Sequence, residues 1–299
     1  MNERRVIALG FFDGVHIGHG ALLKKTCQRA AELGAVPSAM SFDTHPDTLV
    51  FGTPTALLNT MDERKYLMQS LYGIRDVIFC HFDAAMMNMD WQAFVEDYLV
   101  GQLHACHLVC GHDDHVGARG LGDAEMLQAK CRALGLGCDV IEKVELDGII
   151  VSSTYIRSLF ARGDLEQAVR FLGHPHLISG LVQHGDSRGR TLGLPTANLL
   201  LEPSLLVPAF GVYGGWADAG ADGRYPTAVN LGVHPTVHEL KQPVAEASLL
   251  GFSGDLYDKP LRLELLFQVR PEQHFSSLDA LTAQITRDQQ TVLHRLTGV

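Results

Sequence analysis

His16 and His19 stand in a His-x-Gly-His spacing within the segment Gly10-Phe11-Phe12-Asp13-Gly14-Val15-His16-Ile17-Gly18-His19. An apolar run at 5–9 precedes this segment and an amphipathic stretch at 19–33 follows it, which predicts strand, glycine-bearing turn and helix. Two imidazoles are thereby set at a helix N-terminus, where unpaired N–H groups and the dipole favour anions. Gly18 lets a polyphosphate approach the backbone, and the two rings can donate to charge that builds on a reacting phosphate. Downstream, Val151-Ser152-Ser153-Thr154-Tyr155-Ile156-Arg157 brings three hydroxyls and a guanidinium to the start of another helix. By itself this second pattern is also that of an ordinary cap with Arg157 on a solvated face. Both patterns are expected at one edge of the same sheet.

A different set occupies the last third. The loop His184-Gly185-Asp186-Ser187-Arg188-Gly189-Arg190 suits a flap over nucleotide phosphates through Gly185, Arg188 and Arg190, and equally a solvated turn. In Pro195-Thr196-Ala197-Asn198, a hydroxyl and a carboxamide two residues apart project to one side of an extended chain. Thr196 and Asn198 offer hard oxygen donors suited to Mg²⁺, although an Asx turn after proline has the same composition. Glu246 is a lone carboxylate in a strand-like apolar run, either simply solvated or, in a ligand cleft, able to accept a proton from a substrate hydroxyl. His104, Cys106, His107, Cys110, His112 and His115 crowd together as zinc ligands do. On an extended segment, however, 104, 106, 108 and 110 face one side and His107 the other, with no paired CxxC cluster, so buried thiols are expected.

The elements that must position these groups alternate in the first half. Strand patterns at 5–9, 38–42, 77–82, 107–110 and 138–141 are separated by helical ones at 19–33, 61–71, 91–99 and 125–134. That rhythm predicts an α/β domain, Rossmann-like, with a parallel sheet whose ligands bind at the strands' carboxyl ends near a topological switch point. From about 178 onward, short strand patterns at 178–184, 212–217, 227–231, 245–250 and 261–266 predict an antiparallel barrel ending in a helix at 277–295. A helical pattern from about 153 stops at Leu172-Gly173-His174-Pro175, which divides the chain into domains 1–175 and 176–299. The formal net charge of −10 argues against general affinity for nucleic acids or anionic membranes, so an anionic ligand needs a local site. No apolar stretch reaches membrane-span length, the charged start is not that of a secretory signal, and six cysteines without a CxxC pair read as reduced thiols. A cytoplasmic protein is expected.

The GFFDGVHIGH and VSSTYIR motifs resemble those of the nucleotidyltransferase superfamily, specifically the bacterial FAD synthetase module, with further matches at 42–46, 111–123 and 172–175. The resemblance implies that His16 and His19 stabilise the transition state as AMP passes from ATP to FMN, and that Arg157, counted with them as catalytic, holds ATP phosphates. It also implies ATP or phosphate contacts from Gly10, Phe11, Asp13, Gly18, Ser152, Ser153 and Thr154, and a flavin or nucleotide pocket near His45 and Asp113. Two aromatics of the module's G-x-D-F-x-F-G pattern are Asp114 and Val116 here, and Thr44 replaces a usual Pro. The second half, through GDSRGRTLGLPTAN, Phe210-Gly211-Val212-Tyr213 and Asn230-Leu231-Gly232-Val233-His234-Pro235-Thr236, resembles the riboflavin kinase family. Leu194, His234 and Ser248 stand there for a usual Phe, Arg and His. That resemblance implies Mg²⁺ and ATP phosphates on Thr196 and Asn198, and Glu246 as general base for the ribityl 5′-hydroxyl. The motif order implies a bifunctional enzyme that makes FMN from riboflavin and ATP, then FAD from FMN and ATP. Retention of every charged group assigned a role disfavours a decayed flavin-binding protein.

Overall fold

The apolar run Val6-Ile7-Ala8-Leu9 lacks polar alternation because it becomes the middle strand of a sheet covered on both faces. The computed structural model describes residues 3–52, 54–184, 196–234 and 242–298. The chain divides into two compact units, Met1–Ser153 and Thr154–Val299. In the first, β1 (Arg5–Leu9), β2 (Val36–Phe42), β3 (Asp76–Cys80), β4 (Ala105–Gly111) and β5 (Gly137–Ile141) pair in parallel in the order β3-β2-β1-β4-β5. Strand order reverses between β1 and β4, which is the switch point where such sheets open a crevice.

Helix α1 (Ile17–Leu33) covers one face, its Ala30 packing on Val6 and Val109. On the other face Ile7, Leu9, Met40 and Leu108 meet Phe94 and Leu99 of a helix over 91–102, and Cys131. Helix α2 (Met61–Tyr72) begins with a reciprocal cap: Thr60 Oγ1 accepts from the Glu63 amide at 3.2 Å, and Glu63 Oε2 accepts from the Thr60 amide at 2.9 Å. Helix α3 (Ala124–Ala133) follows β4. Strict alternation along β4 does not hold. The pairing with β1 shifts register between Arg5 and Val6, so Cys106 packs toward Val6, Ala30 and Val109, away from the side Cys110 occupies. His107 bonds Asp139 at 2.9 Å, while the Cys110 and Cys138 sulfurs lie 4.0 Å apart. Among the described residues no three His, Cys, Asp or Glu side chains gather as metal ligands.

The expected single helix from 153 is two, α4 (Ser153–Ala161) and α5 (Leu165–Leu172). Gly163 at φ 74° takes the left-handed turn that stops α4, and the Asp164 side chain accepts from the Gln167 amide to start α5. Beyond them β6 (His176–Leu181), β7 (Ala197–Leu200), β8 (Gly211–Asp218), β9 (Arg224–His234), β10 (Gln242–Leu249) and β11 (Pro260–Pro271) form an antiparallel sheet ordered β6-β11-β8-β9-β10-β7. A bridge between Gln183 and Asn198 joins its two edges, giving a near-barrel. Leu199, Tyr213, Val229, Leu231, Ala245, Ala247, Leu263 and Leu265 are wholly buried inside it. Helix α6 (Leu278–Thr297) packs Val292 on Ala228 and Phe267, and its Asp288 bonds Arg270 at 2.9 Å.

Candidate active sites

At the carboxyl end of β1 the chain turns through residues 10–15 into α1. Phe12 and Val15 have φ of 57° and 40°, left-handed values that bulky and β-branched residues adopt only when surrounding structure forces them. The forcing contacts are present. The Phe11 carbonyl accepts from Arg64 Nη1 at 2.8 Å and Ser41 Oγ at 2.8 Å. The Asp13 carbonyl accepts from Ser153 Oγ at 2.9 Å, and Asp13 Oδ1 accepts from the amides of Leu58 at 2.8 Å and Asn59 at 3.3 Å. Phe12 and Val15 are themselves fully buried.

What the turn delivers is the histidine pair. His16 caps α1, its Nδ1 accepting from the His19 amide at 3.2 Å, and its ring stacks on His19 with centroids 3.6 Å apart. A neutral ring whose Nδ1 accepts carries its proton on Nε2. Gly18 lies close beneath the pair: a Cβ there would crowd the His16 ring at 3.1 Å. Burial, then the neighbouring His16 and Arg64, pull the His19 pKa well below 6.5, so the ring is neutral at physiological pH. Its Nδ1 is buried with no hydrogen-bond partner among the described residues.

The structure therefore gathers Gly10, Phe11, His16, Gly18, His19 and Ser153. His45 joins them, its ring edge-on to Phe11 at 4.5 Å while Nδ1 accepts from the Asp47 amide. Asp113 lies exposed on the loop after β4, the strand beside β1 at the switch point. Ser152 precedes Ser153 directly, whereas Thr154 and Arg157 continue α4 in the second unit. Asp13, expected to contact phosphate, is different: its buried carboxylate faces the Leu58 and Asn59 amides, so it shapes the turn. Sequence reasoning passed over Ser41 and Arg64. The signal for Arg64 is a charge in register with the buried Leu67 and Met68 stripe of α2.

Asp114 and Val116, which replace two aromatics of the resembled pattern, brace the loop after β4. Asp114 Oδ2 accepts from the Gly111 amide at 2.6 Å, and Val116 pairs with Gly122 and packs toward Val95 and Leu127. Burial pushes the Asp114 carboxyl up to about 6. A raised carboxyl means the folded chain keeps a proton that the unfolded chain releases, so stability falls as pH rises from about 4 to 6. Above that window the deficit is about 1–3 kcal/mol after allowance for partial exposure. Asp114→Asn keeps the acceptor oxygen without the charge. It is expected to raise Tm at pH 8 and flatten the decline; an unchanged Tm at pH 8 would refute the account.

In the second unit Ala245 and Ala247 point into the barrel, so Glu246 between them points outward. The register sets Glu246 opposite Asn198 of β7 on one side and Asn230 of β9 on the other. Opposed residues share a face, so these three form a row across three strands. Asn230 Nδ2 donates to Glu246 Oε2 at 3.4 Å. Thr196, two residues before Asn198, is exposed. Ser248 Oγ accepts from Gln289 of α6 at 2.9 Å, which ties the helix beside the row. Sequence reasoning gave Asn230 no role, because its place beside Glu246 comes from strand register alone. Gly185, Arg188, Arg190 and Leu194 lie outside the described residues. Thr196 and Asn198 offer hard oxygen donors, which fit Mg²⁺.

Comparisons with known proteins agree with this division. A family model described as FAD synthetase matches residues 1–155, and one described as riboflavin kinase matches 172–296. A bifunctional riboflavin kinase/FMN adenylyltransferase of Pseudomonas fluorescens is 38% identical over 285 residues, 95% of this chain and 90% of that one. Its namesake in Bacillus subtilis is 33% identical over 294 residues, 97% of this chain and 92% of that one. The Escherichia coli K12 protein of the same name is 35% identical over 292 residues, covering 97% and 92%. A solved structure described as a macrolide-efflux protein from Streptococcus pneumoniae superposes with TM-score 0.83 at 26% identity, over 98% of this chain and 94% of that one. Among the described residues here, no helix is long and apolar enough to cross a membrane. The chain belongs to the bifunctional riboflavin kinase/FMN adenylyltransferase family, with FMN adenylyltransferase activity in its N-terminal part and riboflavin kinase activity in its C-terminal part.

Proposed function

We propose that Glu246, Asn198 and Thr196 carry the phosphorylation of riboflavin, and that His16 and His19 carry the adenylylation of FMN. The row Asn198–Glu246–Asn230 supports the first assignment, since it puts a carboxylate outside the barrel among amide groups. Glu246 takes the proton of the ribityl 5′-hydroxyl as that oxygen bonds to the γ-phosphorus of ATP and ADP leaves. Thr196 and Asn198 would hold a magnesium ion, which when bound neutralises charge on the phosphates. The stacked histidine pair at the start of α1 supports the second assignment. There an FMN phosphate oxygen bonds to the α-phosphorus of ATP and pyrophosphate departs, while the two imidazoles donate to the accumulating charge. Six unpaired thiols support a cytoplasmic setting, with no nucleic-acid or membrane partner.

A chromatographic time course with riboflavin, ATP and Mg²⁺ tests the reading. FMN is expected first and FAD after it. With EDTA in place of Mg²⁺, FMN formation is expected to stop and to return on adding excess Mg²⁺; FMN formation that persists in EDTA would overturn the metal assignment.

A further inference from the structure

We propose that Arg64 is a positioning residue for adenylyl transfer: its buried guanidinium clamps the ends of β1 and β2 beneath the turn at 10–15, and so holds His16 and His19 in place. The proposal rests on the role assigned to those histidines above. Arg64 is fully buried on α2, one residue past the reciprocal cap that fixes the helix start. Nη1 donates to the Phe11 carbonyl at 2.8 Å and to Ser41 Oγ at 2.9 Å, and Nη2 donates to the Phe42 carbonyl at 3.1 Å. The guanidinium also lies over the Phe11 ring at 4.3 Å and the Phe79 ring at 5.0 Å. It thus touches the second residue after β1 and the last residue of β2, and the left-handed Phe12 directly follows the first of these.

The charge needs a reason. No carboxylate forms an ion pair with Arg64 among the described residues, and its Nε is buried with no partner there. A Met or Leu would fill the same volume without desolvating a cation. The guanidinium instead supplies directed donors to two carbonyls, which an apolar side chain cannot do. Its charge also acts on the site. His16 and Arg64 both disfavour a proton on His19, and Asp13 and Asp43 in turn favour the charge on Arg64. One side chain therefore fixes the turn and, after burial and His16, adds to what holds the neighbouring imidazole in its neutral form.

The test compares Arg64→Met, Arg64→Lys, His19→Ala and Arg29→Met in the full chain. Arg29 makes a bidentate pair with Asp139 in the same unit and, though partly exposed, serves as the control for loss of an arginine contact away from the turn. FMN and ATP are supplied directly, and kcat and the KM for ATP are measured. Histidine ring titration is followed by NMR, with His19 assigned from the His19→Ala spectrum. Arg64→Met is expected to lower kcat about 100-fold with KM changed less than about threefold, as loss of geometry does. The His19 midpoint should rise in Arg64→Met and stay low in Arg64→Lys, which keeps the charge. Arg64→Lys reaches one carbonyl only and should leave kcat between those of Arg64→Met and the parent, about three- to tenfold below the parent. Arg29→Met should retain the parent kcat.

A folded Arg64→Met with kcat within about threefold of the parent overturns the proposal, as does a loss confined to KM. If Arg64→Met does not fold, Arg64→Lys decides: a parent-like kcat overturns the proposal, and an intermediate one supports it. Should His19→Ala keep the parent kcat, the histidine assignment itself fails. A dead His19→Ala beside a parent-like Arg64→Met sinks only the role of Arg64.

Discussion

Glu246→Gln is expected to lower FMN formation by about 10²–10⁴-fold, the usual contribution of a general base, while FMN supplied directly is still converted to FAD at the parent rate. The substitution preserves side-chain length and leaves an amide that can still meet Asn230, so the barrel keeps its outer row. It removes only the ability to take a proton from the substrate hydroxyl. Stability should barely change, because Glu246 is outside the barrel and its flanking alanines, which are wholly buried, are untouched. Separate flavin assays from riboflavin and from FMN check the result. Loss of both activities with the fold intact would refute the division of labour between the two units. FMN formation within about tenfold of the parent would remove Glu246 from the role of base.

Much of the fold was legible because period and punctuation are local properties. All five parallel strands were visible as apolar runs, and α6 as a long amphipathic stretch after the strands ended. What escaped depends on partners far along the chain. β7 is four residues, Ala197–Leu200, and an extended Thr-Ala-Asn is a turn in composition until Glu246 of β10 pairs with its Asn198. The break between α4 and α5 turned on Gly163, which a helical period alone does not reveal. The site divides the same way. The spacing of His16, Gly18 and His19 already stated an anion-binding helix start. The part Asp13 plays in shaping the turn was not legible, because a carboxylate in a glycine-bearing turn gives no sign that it faces the Leu58 and Asn59 amides. Ser41, Arg64 and Asn230 acquired meaning only when the ends of β1 and β2, or the register of β9 on β10, brought them beside the histidines and the glutamate.

His19→Ala carries the converse expectation: FAD formation from FMN falls about 10²–10³-fold, the cost of losing one preorganised donor to transition-state charge, and FMN formation from riboflavin is unchanged. The test is clean at pH 7.5 for a reason set by the ring's surroundings. Burial, His16 and Arg64 hold the His19 pKa well below 6.5 in the folded chain. The unfolded chain therefore binds more protons there as pH falls below about 6.5, and His19 costs stability only on that acid side. At pH 7.5 neither state is protonated, so removing the ring exposes its chemical role with no change in proton linkage. The same argument gives a second reading of the variant: His19→Ala should lose less stability than the parent between pH 6.5 and 5, because one neutral buried imidazole no longer resists folding there. The stacked partner sets the remaining condition. His16 keeps its cap, since Nδ1 accepts from the backbone amide of residue 19 and not from its ring, so α1 should start as before. Thermal unfolding across that pH range and FMN adenylylation at pH 7.5 check the two parts. A variant that makes FAD at the parent rate would place the adenylyl transfer elsewhere on the chain.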